Sequence, residues 1–168
     1  MGKILGSFSG MRKYLEEDML AGCLKGRVTY HCTTYPKMDG CSIFEIRVDG
    51  AAVRRFSGET VTKELWKGEK PGGIQEFWKP YWDHVENTPI LNRREFDETE
   101  FAGALKAYRA LPIGNALTDE NLLVRMFAVL DRRVGSRTLE NCKAAIEDQP
   151  EWLQYFYRLR LAAEKMMP

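Results

Sequence analysis

The stretch from Gly26 to Ser57, GRVTYHCTTYPKMDGCSIFEIRVDGAAVRRFS, contains the only clear β-strand pattern in the chain. Within it, Asp49 and Gly50 predict a two-residue type I′ turn, because both residue types tolerate the positive φ angles that this turn requires. The residues on either side of the stretch show helical spacing instead. The sequence therefore predicts a small antiparallel sheet in an otherwise helical chain.

The turn at Asp49 and Gly50 also predicts the register of its hairpin, since strands that close at Val48 and Ala51 have partners fixed by counting. The expected pairs are Ile46 with Val53, Glu45 with Arg54, Phe44 with Arg55 and Ile43 with Phe56. The face expected to meet the helices carries Phe44, Ile46, Val48 and Val53, and the opposite face carries Ile43 and Phe56. Residues 26–35 supply the third strand, which a turn over Pro36 to Gly40 joins to the hairpin.

The length and the lack of a long Pro-, Ser- or Gly-rich linker predict one domain over residues 1–168, with a β-rich part at 26–57 and a helical part at 58–168. The chain has 25 basic and 24 acidic residues, mixed along its length, and a formal net charge of +1. Proteins that bind nucleic acid nonspecifically usually carry a strongly basic face. The composition therefore argues against such a protein.

Four cysteines and no recognisable secretion signal are typical of a protein of the reducing cytoplasm. No segment reaches the roughly 20 apolar residues that span a bilayer. We expect a cytoplasmic protein without membrane association.

Helical spacing predicts an N-terminal helix from about residue 10 to 22, and four or five helices packed on the sheet after it. The overall fold class is therefore α+β. Helix starts are expected at Ser57, at a capping box formed by Asp97 and Glu100, at Thr118, at Ser136 and at Asp148 with Pro150. Gly135 is expected to end the helix that Thr118 opens. The segment from Lys67 to Gly73, rich in Gly and Pro, is expected to form a mobile loop.

The densest group of aromatic residues flanks this loop. It consists of Trp66, Phe77, Trp78, Tyr81, Trp82 and His84. One interpretation is that these side chains pack on the sheet as core. The other is an exposed surface that stacks a ligand or contacts a partner, in which case Trp66, Trp78, Trp82 and His84 are candidate binding residues. Pro80 lies within the same spacing, so the helix either kinks or restarts there.

The candidate metal ligands of the soft type are Cys23, Cys32, Cys41, Cys142, His31 and His84. They lack the short Cys-Cys or His-His spacing of structural zinc sites, so we expect no metal and no other cofactor. His31 and Cys32 are strand neighbours that point to opposite faces, and this prevents them from forming a nucleophilic pair. No catalytic residue is predicted.

Four arginines surround Gly135, namely Arg125, Arg132, Arg133 and Arg137. The short connection at Gly135 is similar to the turn of a helix-turn-helix, and arginines near a helix start can hold a phosphate. Asp131 and Glu140 are close enough in sequence to neutralise them. An ion-paired surface is therefore the alternative to a nucleic-acid site at Arg132, Arg133 and Arg137.

Four segments of the chain resemble a family of small uncharacterised bacterial proteins. They are MRKYLEE at 11–17, GRVTYHCTTYP at 26–36 with MDGCSIFEI at 38–46, LDRRVGSRTL at 130–139 and QPEWLQYFYRLRLAAE at 149–164. The resemblance implies a bacterial, cytoplasmic source and suits a packing or interaction role for the helical end of the chain. It implies no activity and no site residues.

Three hypotheses about function follow. The first is a noncatalytic binding or regulatory protein that contacts a protein partner, or a second copy of itself, through the aromatic group or the second face of the sheet. The second is a small enzyme or ligand-binding protein with a pocket between sheet and helices, using His31, Tyr30, Glu45 or Arg47. The third is nucleic-acid binding through the arginines near Gly135, which would depend steeply on salt.

Overall fold

The computed structural model describes residues 7–35, 41–67, 69 and 72–166. A helical N-terminal segment precedes a three-stranded antiparallel sheet, and helices follow it, so the predicted α+β class is confirmed. The α-helices and strands are α1 (Phe8–Lys13), β1 (Val28–Tyr35), β2 (Cys41–Val48), β3 (Ala51–Phe56), α2 (Gly58–Trp66), α3 (Ile74–Asn87), α4 (Glu98–Ala110), α5 (Ile113–Ala116), α6 (Leu122–Leu130), α7 (Ser136–Cys142) and α8 (Glu151–Ala163). Among the described residues, the segments between them include a π-helical segment (Tyr14–Met19) and 3₁₀ turns at Gly22–Leu24, Ile90–Asn92 and Lys143–Ala145.

The turn of the hairpin has the predicted conformation. Asp49 and Gly50 have φ angles of 51° and 85°, both in the positive range of a type I′ turn. The strands lie in the order β1-β2-β3 and close at Val48 opposite Ala51, as predicted. The turn predicted over Pro36 to Gly40, and part of the loop predicted at Lys67 to Gly73, fall outside the described residues.

The predicted register is wrong beyond the turn, because β3 contains a β-bulge at Val53. Ala52 pairs with Arg47, but the next partner of β2, Ile46, is Arg54. One extra residue of β3 therefore sits between two partners. The actual pairs are Glu45 with Arg55 and Phe44 with Phe56.

The bulge moves Phe56 from the outer face, where counting placed it, to the face that meets the helices. Phe56 is fully buried there, and its ring centroid lies 4.8 Å from that of Phe101 on α4. Phe101 also contacts Phe44 of β2 and Phe127 of α6, at centroid distances of 5.0 and 5.3 Å. The core of the domain thus lies between the sheet, α4 and α6.

The central helix of the core is α6. Of its nine residues, every one except Arg125 is buried. A helix that is apolar on all sides must be surrounded by protein, and α6 packs against both α4 and α8. The C-terminal helix α8 therefore completes the core around α6.

Several helix boundaries differ from the predicted ones. The N-terminal helix starts earlier, capped by Ser7, and its helical structure ends at Met19 because Leu20 is extended and pairs with Asp131. The same pairing ends α6 at Leu130, before Gly135. The remaining corrections concern helix starts: Asn121 caps α6 in place of Thr118, Gly135 precedes α7 in place of Ser136, and Pro150 precedes α8 in place of Asp148.

Two capping predictions are confirmed. The hydroxyl of Ser57 accepts a hydrogen bond from the backbone N–H of Thr60 at 3.2 Å and starts α2. Asp97 and Glu100 form a complete capping box at the start of α4.

In the part of the chain that the structure describes, no helix has both the length and the apolar character required to cross a lipid bilayer.

Candidate functional site

The helix α3 carries the exposed half of the aromatic group. Trp78 and Trp82 lie one turn apart, their ring centroids 6.3 Å apart and nearly parallel, and they are 50% and 44% exposed. Trp66 of α2 stacks on Phe77 of α3 at 4.9 Å. We call Trp66, Phe77, Trp78 and Trp82 the aromatic surface. The interpretation of the whole group as core is wrong for Trp78 and Trp82.

The buried side chain of Tyr81 anchors α3. Tyr81 is 4% exposed and is the only fully buried side chain of α3 among those the structure describes in this helix. Its hydroxyl donates a hydrogen bond to Asp97 at 2.8 Å, and burial, with this carboxylate, raises the pKa of Tyr81. Helix α3 packs mainly on α2. A helix held so lightly leaves most of its surface open to other molecules.

The predicted site residue His84 forms contacts within the protein, between α3 and α2. Its Nε2 lies 3.4 Å from a carboxylate oxygen of Glu64 on α2, and its Nδ1 lies 3.1 Å from the hydroxyl of Thr88. Glu64 also accepts hydrogen bonds from the backbone N–H groups of Arg94 and Glu95. His84 thus connects α3 to α2 beside the aromatic surface.

The outer face of the sheet is polar. Glu45 accepts hydrogen bonds from Arg47 at 2.6 Å and from Arg55 at 3.0 Å, and His31 lies opposite Glu45 on β1. The hydrogen bond from Arg47 lowers the pKa of the Glu45 carboxyl against the effect of burial, and Arg55 adds to it. These side chains line a cavity of about 280 Å³. Tyr30, grouped with them in the pocket hypothesis, lies in the core instead.

The arginines near Gly135 do not form one free cluster. Arg133 pairs with the buried Asp131 at 2.7 Å and donates to the hydroxyl of Tyr108 at 3.1 Å. Arg132 and Arg137 are exposed. The predicted neutralisation by Asp131 is confirmed for Arg133.

Glu140 and Arg125 do not take part in the network of Arg133 and Asp131. Glu140, predicted to neutralise the arginines, pairs with Lys143 at 2.8 Å. Arg125 turns away from the group and donates to Gln149 at 3.0 Å. The structure therefore divides the sequence cluster between an internal network and separate surface positions.

The thiols Cys23, Cys32 and Cys142 are free, and each is half-buried. Burial raises the pKa of all three thiols. Within the described ranges, no group of three or more His, Cys, Asp or Glu side chains is placed to hold a metal ion.

Sequence reasoning missed the residues of a second cavity, which lies, like the predicted pocket, between the sheet and a helix. It is an open groove of about 1130 Å³ between β3, the segment 91–95 and α8. At its floor lies Arg54, whose side chain is 10% exposed. The only available signal was an arginine in a strand next to apolar residues, and the simple register assigned that arginine to the outer face.

Comparison with known proteins gave one match. A family model described as the SF0329 protein family matches residues 7–161. The searches of curated proteins and of solved structures returned no match.

Proposed function

Since this chain belongs to the SF0329 protein family, whose description names no function, we propose one from its geometry: a noncatalytic binding protein that holds a protein partner on the aromatic surface. The observation that carries the proposal is the exposure of Trp78 and Trp82 on adjacent turns of α3. Tryptophan is among the residue types most enriched at the energetically dominant positions of protein interfaces. The proposal includes the bacterial cytoplasm as its location, which the three half-buried free thiols support.

The exposed area is large enough to matter for binding. A tryptophan buries about 150–250 Å² when fully covered, so a half-exposed indole offers about 100 Å². At about 25 cal/mol per Å², covering each ring contributes about 2.5 kcal/mol before the costs of association. Two adjacent rings therefore supply a substantial part of the free energy of a transient complex.

The charges beside the two indoles indicate the kind of partner. Glu86 follows Trp82 by one helical turn, and Lys79 forms an ion pair with Asp83 at 2.6 Å along the same side of α3. This border has two carboxylates and one ammonium group. A partner that presents an apolar groove with a basic rim would complement it.

The alternative hypotheses have less support. The carboxylate of Glu45 is held ionised between two arginines, which suits a structural ion pair better than a general acid. Among the arginines proposed for nucleic acid, Arg133 is committed to Asp131. Arg132 and Arg137 stay exposed, but exposed arginines are ordinary on protein surfaces and indicate a binding site less strongly than two adjacent exposed indoles.

The test is native mass spectrometry of the gently purified protein from its host, with wild type compared with the double variant W78S/W82S. We expect a stoichiometric companion protein with wild type and its loss from the double variant, whose unfolding temperature should stay close to that of wild type. The matched control is Tyr155→Ser, since Tyr155 is 41% exposed on a different helix. Retention of the companion by the double variant, or its global unfolding, would contradict the proposal.

A further inference from the structure

The groove between β3 and α8 contains a buried cation without a hydrogen-bonded counter-ion. The side chain of Arg54 is 10% exposed, and its Nε and Nη2 atoms have no hydrogen-bond partner among the described residues. The nearest carboxylate oxygen, on Glu95, lies 3.9 Å from Nη2, beyond hydrogen-bonding distance. Arginine remains protonated in proteins, so a full positive charge lies at the floor of the groove.

Aromatic rings replace the missing acceptors only in part. The guanidinium carbon of Arg54 lies 4.7 Å from the centre of the Trp152 ring, 5.8 Å from that of Phe96 and 5.9 Å from that of Phe56. Cation–π contacts stabilise the charge. They do not satisfy the donor hydrogens in the guanidinium plane, and unsatisfied buried donors are rare in folded proteins.

The start of α8 is also electropositive, and it lies beside Arg54 in the groove. Trp152 is the second residue of α8, and no side chain caps the first turn of this helix. A helix start carries a partial positive charge, which favours anions and disfavours a cation such as Arg54. The indole Nε1 of Trp152 is also buried without a hydrogen-bond partner within the described residues. The guanidinium of Arg54 and the indole of Trp152, each with a donor that lacks a partner in the described part of the chain, therefore lie together at the start of α8.

We propose that this groove binds a small organic carboxylate, with its carboxylate on Arg54 and its apolar body along α8. The wall beside Arg54 includes Tyr155, Phe156 and Leu159, which suit an aromatic or aliphatic body. The rim of the groove is mixed in charge, and it is the apolar wall that favours a carboxylate with an apolar body over inorganic phosphate; the charged lining residues are Arg93, Arg94, Glu95, Asp148, Glu151 and Arg158. Since Nε and Nη2 of Arg54 are covered, binding includes a rotation of this side chain toward the ligand.

The probe for this site is benzoate, titrated against the full-length protein and followed by NMR. We expect benzoate to shift the Nε1–H signal of Trp152, identified by its loss in Trp152→Phe, with a dissociation constant in the millimolar range, about −4 kcal/mol. Neutral benzamide should produce no saturable shift, and inorganic phosphate should bind more weakly than benzoate.

Two variants are expected to change benzoate affinity in opposite directions. Arg54→Met should weaken binding by about tenfold or more, because it removes a charge-assisted hydrogen bond. Glu95→Gln removes the competing carboxylate and should strengthen binding; its half-buried side chain can be changed without opening the core. Equal binding of benzamide, tighter binding of phosphate, or no response of affinity to Glu95→Gln would overturn the proposal, whether or not Arg54→Met folds.

Discussion

Arg160 of α8 donates a hydrogen bond to the backbone carbonyl of Asp131, 29 positions earlier in the chain, at 2.9 Å. The same guanidinium donates to the carbonyls of Val129 and Val134 at 3.0 and 2.8 Å. Arg160 is 2% exposed, so these carbonyls at the end of α6 have little access to water. One buried side chain therefore caps the central helix and connects it to the C-terminal one.

We expect Arg160→Met to be strongly destabilising. It removes the donated hydrogen bonds from three buried carbonyl oxygens, of which, among the described residues, only that of Asp131 keeps another donor, the backbone N–H of Val134 at 3.2 Å. Each group left without a partner costs about 1–3 kcal/mol. The free energy of unfolding, measured with urea, should fall by about 3 kcal/mol or more. Arg158→Met is the matched control on the same helix, because the side chain of Arg158 is 47% exposed and its ion pair with Glu147 contributes less than about 1 kcal/mol. Similar losses in both variants would refute the capping role.

The ion pairs of Glu45 predict a pH dependence. Arg47 and Arg55 hold the pKa of this carboxyl below its ordinary value, so its stabilising contribution is present above a pH of about 4.3 and is lost as the pH falls through the lower pKa of the folded state. We expect Glu45→Gln to cost about 1–2 kcal/mol at neutral pH. The difference from wild type should shrink below about pH 4. Urea unfolding curves that stay equally separated from pH 7 to the acid limit would show that the charge of Glu45 is not responsible.

Glu98 predicts a pH dependence of stability opposite to that of Glu45. It is the first residue of α4, one of its carboxylate oxygens is buried without a hydrogen-bond partner in the described part of the chain, and burial raises its pKa. A raised pKa means that the ionised form opposes folding, so stability present at low pH is lost as the pH rises. We therefore expect Glu98→Gln to raise the free energy of unfolding at pH 7 by about 0.5–1 kcal/mol, after the loss of its favourable interaction with the helix dipole.

The comparison for Glu98→Gln lies in the same helical turn. Glu100 accepts hydrogen bonds from Arg93 at 2.9 Å and from the backbone N–H of Asp97 at 2.9 Å. Glu100→Gln should therefore destabilise the protein at pH 7, where Glu98→Gln stabilises it. Thermal unfolding at pH 7 and pH 4 distinguishes the two, and a destabilised Glu98→Gln at pH 7 would contradict the assigned cost of its burial.

Local signals in the sequence predicted local structure well. The Asp49-Gly50 turn and the capping box of Asp97 each depend on residues within a few positions, and both are confirmed. The β-bulge at Val53 was not predictable by counting, because it is decided by whether Phe56 reaches the core. The same holds for the end of α6, which depends on pairing between Asp131 and the distant Leu20.

The aromatic surface and the groove at Arg54 differ in how much of each could be predicted from the sequence. The spacing of Trp78 and Trp82 placed them on one helix face, but whether this face is covered depends on where α3 packs, and the structure leaves the face open. The position of Arg54 in the groove depends on the bulge, and so on the same long-range packing that corrected the register. Periodicity identifies a face, whereas tertiary packing decides what that face meets.

We propose that α3 contacts a protein partner through the aromatic surface. The most direct measurement is photo-crosslinking in the host cell, with p-benzoylphenylalanine in place of Trp82 and, as a control, in place of the exposed Lys106 on α4. We expect one discrete crosslinked protein from position 82 and none from position 106. No intermolecular crosslink from position 82, or the same crosslinks from both positions, would contradict it.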